Sequence, residues 1–578
     1  MKEKIKLDNI SLFKAISLLC FAFLIIIYEL GYCNLKAITI EHSYNFSLAR
    51  IVIYGIAIIL VICFGKKISD RAEPTFENKK IIIFTLLIFS LLLDFLQLRN
   101  VAYASTKMDT VYQLYGIVLL LLAEINALLF VMYLSKDFIV NIILTTLTFG
   151  IFFSYSMPFF HQVDEKVHFL TCLNFSVGNF NLYEGHAVTD TDFDEITMNM
   201  PSKNFATTFF DKKCNFNLSL LSFDDNKSIP STYRTPIAYI PGTIGILFAR
   251  MFGGSIADVF IMGRLMNVLT FGALLVIMFK IMPFKKRLFY VIYLQPIALA
   301  LASTYNTDGI TIGLIGIFIA YVLKLYNENK ETISMKEFLL LVLTYALVLT
   351  CKDSSYMGIG FLVFILPIKK YLKNNKKMLL VTLCLVLLTV AIGFYEINIK
   401  TASNQGDERT ENTNSILQLE NIKNNPGKLA EVYSNFTKSS LLRLTWYNNL
   451  NPKYFFGNEA TVVAFGMFVL ALYISYTDVS IKFDRKAKII LFLAFVFTFG
   501  ITTFALYWLY SPVGYDTIVG YQARYIIPFI PLLLAILNSG NKVKDEKMLD
   551  KNQVSLYDMS AFVLGALIFV DTISQALM

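Results

Sequence analysis

Apolar runs of about twenty residues recur along this chain, the length a helix needs to cross a hydrocarbon core roughly 30 Å thick. They begin near Ser11, Ser47, Ile81, Val111 and Phe138 and, after a polar stretch, near Ile256, Leu288, Gly309, Glu337, Tyr356, Met378, Ala460, Ile489, Tyr521 and Met559. The expectation is an all-α polytopic membrane protein with about 13–15 transmembrane helices. Composition agrees: 56% hydrophobic residues, 51 Phe and a mean hydropathy of +0.59 exclude an ordinary soluble domain. The first run, Ser11 to Tyr32, follows the basic start MKEKIK. It is longer than a signal-peptide core and no small-residue cleavage site follows, so it reads as an uncleaved first helix.

The net charge of +9 does not point to nucleic acid, because the basic residues sit in short tracts between apolar runs. There they report topology, and the partner they imply is the anionic cytoplasmic leaflet of the membrane lipids. The segments 65–80, 283–287, 368–377, 482–488 and 542–551 fall on the side of the N-terminus, which places that terminus in the cytoplasm. The parity requires that 232–254 not cross. Pro236, Pro241, Arg234 and Arg250 mark it as a re-entrant or interfacial helix on the outer face.

Two extracytoplasmic loops are large, near 159–255 and 398–457, and they divide the chain into N-terminal helices (1–137), a core (138–538) and a linker with a last helix (539–578). Residues 159–232 carry 10 Asp and Glu against 5 Lys, a balance suited to a segment exempt from positive retention. In the second loop Asn425 can cap, and Pro426 open, an amphipathic helix lying on the membrane surface. Seven Cys occur without CxxC spacing; Cys172 and Cys214 share the first loop, which leaves their pairing open.

The densest polar cluster is HQVDEKVHF (161–169) at the mouth of the fifth span. On a helix, His161, Asp164, Glu165 and His168 lie on or near one face, where they can hold a divalent cation (Mg or Mn) or offer a carboxylate base. The metal candidates are Asp164, Glu165 and His168; the same residues read equally as a solvated helix end. Further polar residues mark outer helix ends: Asp308 in STYNTDG, Lys352 and Asp353 in TCKDSSY, and Arg524 and Tyr525 in VGYQARYIIPFIP. Each alone is an ordinary interfacial anchor, but topology brings all of them to one surface. Within the bilayer, Glu124 and Arg264 are expected to face a cavity or a partner, and Glu124 reads equally as a protonated carboxyl that is merely packed. Such a surface suits transfer from a polyprenyl-phosphate sugar: Arg and Lys hold the phosphate and a carboxylate deprotonates the acceptor hydroxyl.

The ordered series of P-x-x-x-x-x-DE-x-x-HF (158–169), YRTPIAYIP, RLMNVL, P-x-x-x-x-x-x-S-x-x-x-x-D-G (296–309), K-x-x-x-Y (352–356) and RYIIPFIP resembles uncharacterised multi-pass bacterial membrane proteins grouped with the GT-C glycosyltransferases. The resemblance covers roughly 138–538 and implies a GT-C-like helical bundle in the cytoplasmic membrane. It implies a base or metal ligand at Asp164, with Glu165 beside it, and donor-phosphate contact by Arg524, with Lys352 a second candidate; Tyr525 joins the candidate phosphate contacts, and His168, Arg234, Tyr239, Arg264, Asp308 and Asp353 are the candidates for a substrate pocket. The acceptor class it implies is a cell-envelope polysaccharide, teichoic acid or similar polymer. Two departures stand: Ala523 replaces the family's Gly, and four extra spans precede the catalytic loop. A flippase for a lipid-linked glycan and a polysaccharide polymerase or ligase remain alternatives.

Overall fold

The computed structural model describes residues 137–156, 164–176, 178, 186–188, 222–224, 236–252, 256–352, 355–373, 412–441, 469–476, 478 and 480–537. The four spans expected before Phe138, Glu124, the spans near Met378 and Met559, His161, Arg234, Asp353 and Cys214 lie outside these residues.

The described chain begins with α1 (Phe138–Thr145) and α2 (Ile151–Ser156), joined by a π-helical turn at Thr146–Gly150. Asp137 caps α1 by accepting from the Ile139 N–H. Then come α3 (Glu165–Ser176) and two short antiparallel strands, β1 (His186–Val188) and β2 (Ser222–Asp224), with Ala187 opposite Phe223. A 3-10 turn (Ile237–Tyr239) leads into α4 (Ile240–Met251), followed by α5 (Ile256–Ile281), α6 (Lys286–Tyr293), α7 (Pro296–Ala302), α8 (Asp308–Glu328) and α9 (Met335–Cys351). After a 3-10 helix (Met357–Ile365) come α10 (Ile368–Lys373), α11 (Ser415–Asn424), α12 (Pro426–Phe436), α13 (469–476), α14 (Arg485–Leu509) and α15 (Ile530–Leu534).

Among the described residues three helices are long and apolar enough to cross a bilayer: Asp258–Ile281 within α5, Asp308–Glu328 and Arg485–Leu509. Lipid is as apolar as Leu, so such helices associate through close packing rather than hydrophobic burial. α4 and α5 meet at Gly245 and Gly263, where a Cβ on Gly245 would stand 2.6 Å from the Gly263 Cα. A Cβ on Gly263 would collide with the Tyr305 ring. Only glycine at both places lets the two backbones and Tyr305 share that space. α4 itself is too short to span, in line with an interfacial or re-entrant segment.

Three expected spans are corrected. The run near Leu288 divides into α6 and α7 because Pro296 opens a new helix after Gln295 leaves helical geometry. The run near Tyr356 winds as a 3-10 helix and stops at Leu366, whose extended backbone is what the following Pro367 demands. The run near Tyr521 is a 3-10 turn (Ala523–Ile526) and the short α15, punctuated by Pro528 and Pro531. Broken backbone of this kind is tolerated at membrane depth where protein surrounds it, and Ile526, Ile527, Phe529 and Ile359 are all buried.

Of the expected basic segments, 283–287, the described part of 368–377 and 482–488 gather at one end. Lys285 donates its ammonium to the Asp478 carbonyl, and its backbone N–H donates to Ser480 Oγ at 3.0 Å. Phe483 packs on Phe284 and Tyr326, and Lys370 reaches Glu331 at 3.6 Å. Asp308 opens α8 and Glu328 closes it, so the two ends are roughly 31 Å apart at 1.5 Å per residue. Asn425 and Pro426 do open a helix, α12, although Asn425 makes no side-chain cap bond. Cys172 is a buried free thiol, so it forms no disulfide with Cys214; it faces α4 and its thiol donates to the Tyr239 carbonyl at 3.6 Å.

Candidate functional site

At the end opposite Lys285, four breaks in regular structure deliver charged side chains to one place. The first lies before α3, where Asp164 takes a left-handed backbone, φ 63°, a conformation that Asp and Asn adopt more readily than other side chains. Its carbonyl still accepts from the His168 N–H at 3.1 Å, so it sits at the cap of α3 with its side chain off the helix. The second is the turn from Ser303 to Thr307, in which Asn306 Oδ1 accepts from the Asp308 N–H at 2.8 Å and fixes the start of α8. The third is the end of α9, where Lys352 leaves helical geometry. The fourth is the 3-10 turn holding Arg524 and Tyr525.

The side chains form a chain of ion pairs. Lys352 Nζ bonds directly to Asp308 Oδ1. Arg524 Nε lies 3.2 Å from Asp308 Oδ2, and its Nη2 lies 3.7 Å from Asp164 Oδ2. Two cations thus meet two carboxylates, which is how charges become tolerable away from water. Tyr525 places its ring 4.9 Å from Lys352 Nζ and 5.6 Å from the Arg524 guanidinium carbon, a cation–π arrangement. The members differ in access: the Asp164 side chain keeps 21% of its surface, whereas Asp308 and Arg524 keep 3% each.

His168, one turn into α3, is buried beside this cluster, with Nδ1 3.1 Å from the Tyr239 hydroxyl. Burial pushes its imidazole down to about 3, and Lys352 and Arg524 push the same way against Asp164 and Asp308. The ring is therefore neutral at physiological pH and serves as a hydrogen-bonding group rather than a charge. Asn306 Nδ2 and Thr307 Oγ1, both buried on the turn before Asp308, make no hydrogen bond among the described residues.

Glu165 has a different place. Its carboxylate takes both arms of the Arg264 fork, Nε to Oε1 at 2.9 Å and Nη2 to Oε2 at 2.8 Å, with both side chains wholly buried. Arg264 Nη1 donates to the Ser154 carbonyl at 3.1 Å, and the Tyr305 N–H donates to Glu165 Oε1 at 3.1 Å. The pair ties α2, α3, α5 and the turn before α8 together beneath the cluster. Glu165 is thus engaged by Arg264 rather than open as a base, and Arg264 is wholly buried on it. This engagement also dissolves the expected metal trio. Among the described residues no three His, Cys, Asp or Glu side chains group closely enough to hold a metal ion, and Asp164 faces a guanidinium. These residues do not fit a divalent cation.

A family model whose description reads "predicted membrane protein (DUF2142)" matches residues 147–533, more than half of the chain. The chain belongs to the DUF2142 family. No curated protein and no solved structure matches it. The DUF2142 match includes every member of the ion-pair cluster, from Asp164 to Tyr525. It also includes residues that sequence reasoning passed over. Tyr305 stands inside STYNTDG, where only Asp308 was singled out, and Ser154 lies in an apolar run with no motif of its own. Gln418 on α11 accepts from the Gly514 N–H at 2.8 Å and donates to the Tyr507 carbonyl at 3.1 Å. With the Trp508 indole donating to the Ser415 carbonyl at 2.9 Å, it holds the loop that leads from α14 to Arg524.

Proposed function

We propose that this DUF2142 protein is a glycosyltransferase of GT-C type in the bacterial cytoplasmic membrane, moving a sugar from a polyprenyl-phosphate donor to a cell-envelope polymer outside. The observation that carries this reading is Arg524 held between Asp308 and Asp164, with Lys352 on Asp308, at one end of a membrane bundle. A lipid phosphate rests at the same depth as the end of a spanning helix, where two cations can meet it. The acceptor oxygen attacks the anomeric carbon as the bond from that carbon to the phosphate oxygen breaks. The electron pair stays on the departing polyprenyl phosphate, where Arg524 and Lys352 offset the added charge. The acceptor proton passes to Asp164, the most accessible carboxylate of the cluster. Neutral His168 and Tyr239 supply hydrogen bonds to sugar hydroxyls, and Glu165 with Arg264 positions α3 so that Asp164 faces Arg524.

The test is reconstitution of the full chain in lipid with a polyprenyl-phosphate sugar and envelope polymer, scoring free polyprenyl phosphate and labelled polymer. Transfer should occur, and Asp164→Asn should slow it by about 10²–10⁴-fold, the usual worth of a general base. Label crossing the bilayer without consumption of the donor, or unchanged transfer by Asp164→Asn, overturns the reading.

A further inference from the structure

Four formal charges cancel in the cluster, which raises the question of where a phosphate would bind. Both cations already have carboxylate partners, and a phosphate added to an intact cluster would meet Asp164 and Asp308 as like charges. One carboxylate must give way. The two are held very differently. Asp308 is buried, grips Lys352 at direct hydrogen-bond distance and lies 3.2 Å from Arg524, and its backbone is fixed by Asn306 and by the α8 helix it opens. Asp164 contacts the same guanidinium at 3.7 Å, beyond hydrogen-bond range, is the most solvent-reached of the four, and stands on a left-handed residue outside any helix.

We propose that the cluster is a latch in which a phosphate takes the place of Asp164 on Arg524 while Asp308 keeps Lys352 and Arg524 aligned. Asp308 is then a positioning residue and Asp164 the exchangeable partner. A phosphate oxygen offers Arg524 Nη2 a charge-assisted hydrogen bond in exchange for a loose ion pair. Asn306 Nδ2 and Thr307 Oγ1, buried donors with no described partner, stand on the adjoining turn within the same wall as Asp308. The exchange couples donor arrival to the base: the phosphate takes over the guanidinium that Asp164 faces, and the displaced carboxylate turns toward an acceptor hydroxyl. The chemical class recognised is a phosphate monoanion or dianion, and its identification as a lipid headgroup rests on the transferase reading above.

Binding, rather than turnover, reads the latch. The purified full chain in detergent micelles is titrated with polyprenyl phosphate and, separately, with inorganic phosphate. Asn is isosteric with Asp and tolerates the left-handed backbone, so Asp164→Asn removes the competing charge without refolding the turn. Asp164→Asn should bind polyprenyl phosphate about ten-fold tighter than the unaltered chain, a difference of about 1.4 kcal/mol. Asp164→Glu should return affinity toward the native value. Arg524→Gln should weaken binding at least ten-fold and erase the gain when combined with Asp164→Asn. Unchanged or weaker binding by Asp164→Asn, with its melting temperature preserved, overturns the latch. Equal gains and affinities for inorganic phosphate overturn the lipid as the source of the phosphate. A gain in binding with no transfer in any assay retires the transferase reading and leaves the latch; transfer without a gain does the reverse.

Discussion

Arg264 lies inside the bundle with no exposed surface, and its three nitrogens are spoken for by Glu165 and the Ser154 carbonyl. Removing one member of such a pair leaves a charge stranded where water cannot reach it, which costs about 3–5 kcal/mol. Glu165→Gln should therefore lower the melting temperature in detergent sharply. Replacing both partners, Glu165→Leu with Arg264→Met, should recover most of the loss because no charge remains buried; equal melting for Glu165→Gln and the unaltered chain would contradict the role. The same residues show what a sequence reveals and what it hides. Asp164 and Glu165 are adjacent carboxylates, and nothing in DE tells them apart. The helix begins between them, so Glu165 enters its first turn and points inward to Arg264 while Asp164 remains on a left-handed residue facing Arg524. Topology alone put Asp164, Asp308, Lys352 and Arg524 on one surface, because each marks a helix end of the same parity; that they meet in one chain of ion pairs came only from the turns that carry them.

At the scale of elements, long helices were readable from apolar length, but helix continuity was not. Hydropathy averages over a window and cannot register that Gln295, Leu366 or Phe529 leaves helical geometry. The prolines were visible; their consequence depended on what packed around them. The charged side chains sit at other interruptions between the rods: the turn before Asp308, the end of α9 at Lys352 and the 3-10 turn at Arg524. Close packing keeps the rods in register, and Gly263 is its narrowest point. Gly263→Ala should displace Tyr305, whose N–H donates to Glu165, and overpacking of this kind costs about 1–3 kcal/mol. Gly500→Ala, on α14 with none of the described residues within 4 Å of the new methyl, is the control and should hold or raise stability by up to about 1 kcal/mol. Thermal unfolding in detergent distinguishes the two, and equal melting for both would remove Gly263 from the argument.

For the whole molecule, the arrangement of charge along α8 sets a testable polarity. One end holds the buried cluster around Asp308, and the other holds Glu328, Lys330 and Glu337, with Lys330 at 2.8 Å and 2.6 Å from the two carboxylates. The helix between them is about as long as a bilayer's hydrocarbon core is thick. The second end is also where Lys285, Lys370 and the basic segment 482–488 lie, and the positive-inside rule expects such an end to stay in the cytoplasm. The same rule predicts that the cluster, and the loop strands β1 and β2 that follow α3, face outward. Cysteines placed at Ser222 on β2 and at Lys482 beside α14 should react with a membrane-impermeant maleimide from opposite sides of intact cells and inverted vesicles, in a chain whose native cysteines are replaced. Labelling of both from one side would break the parity on which the outward site depends, and with it the supposition that donor and acceptor meet beyond the reach of cytosolic nucleotides.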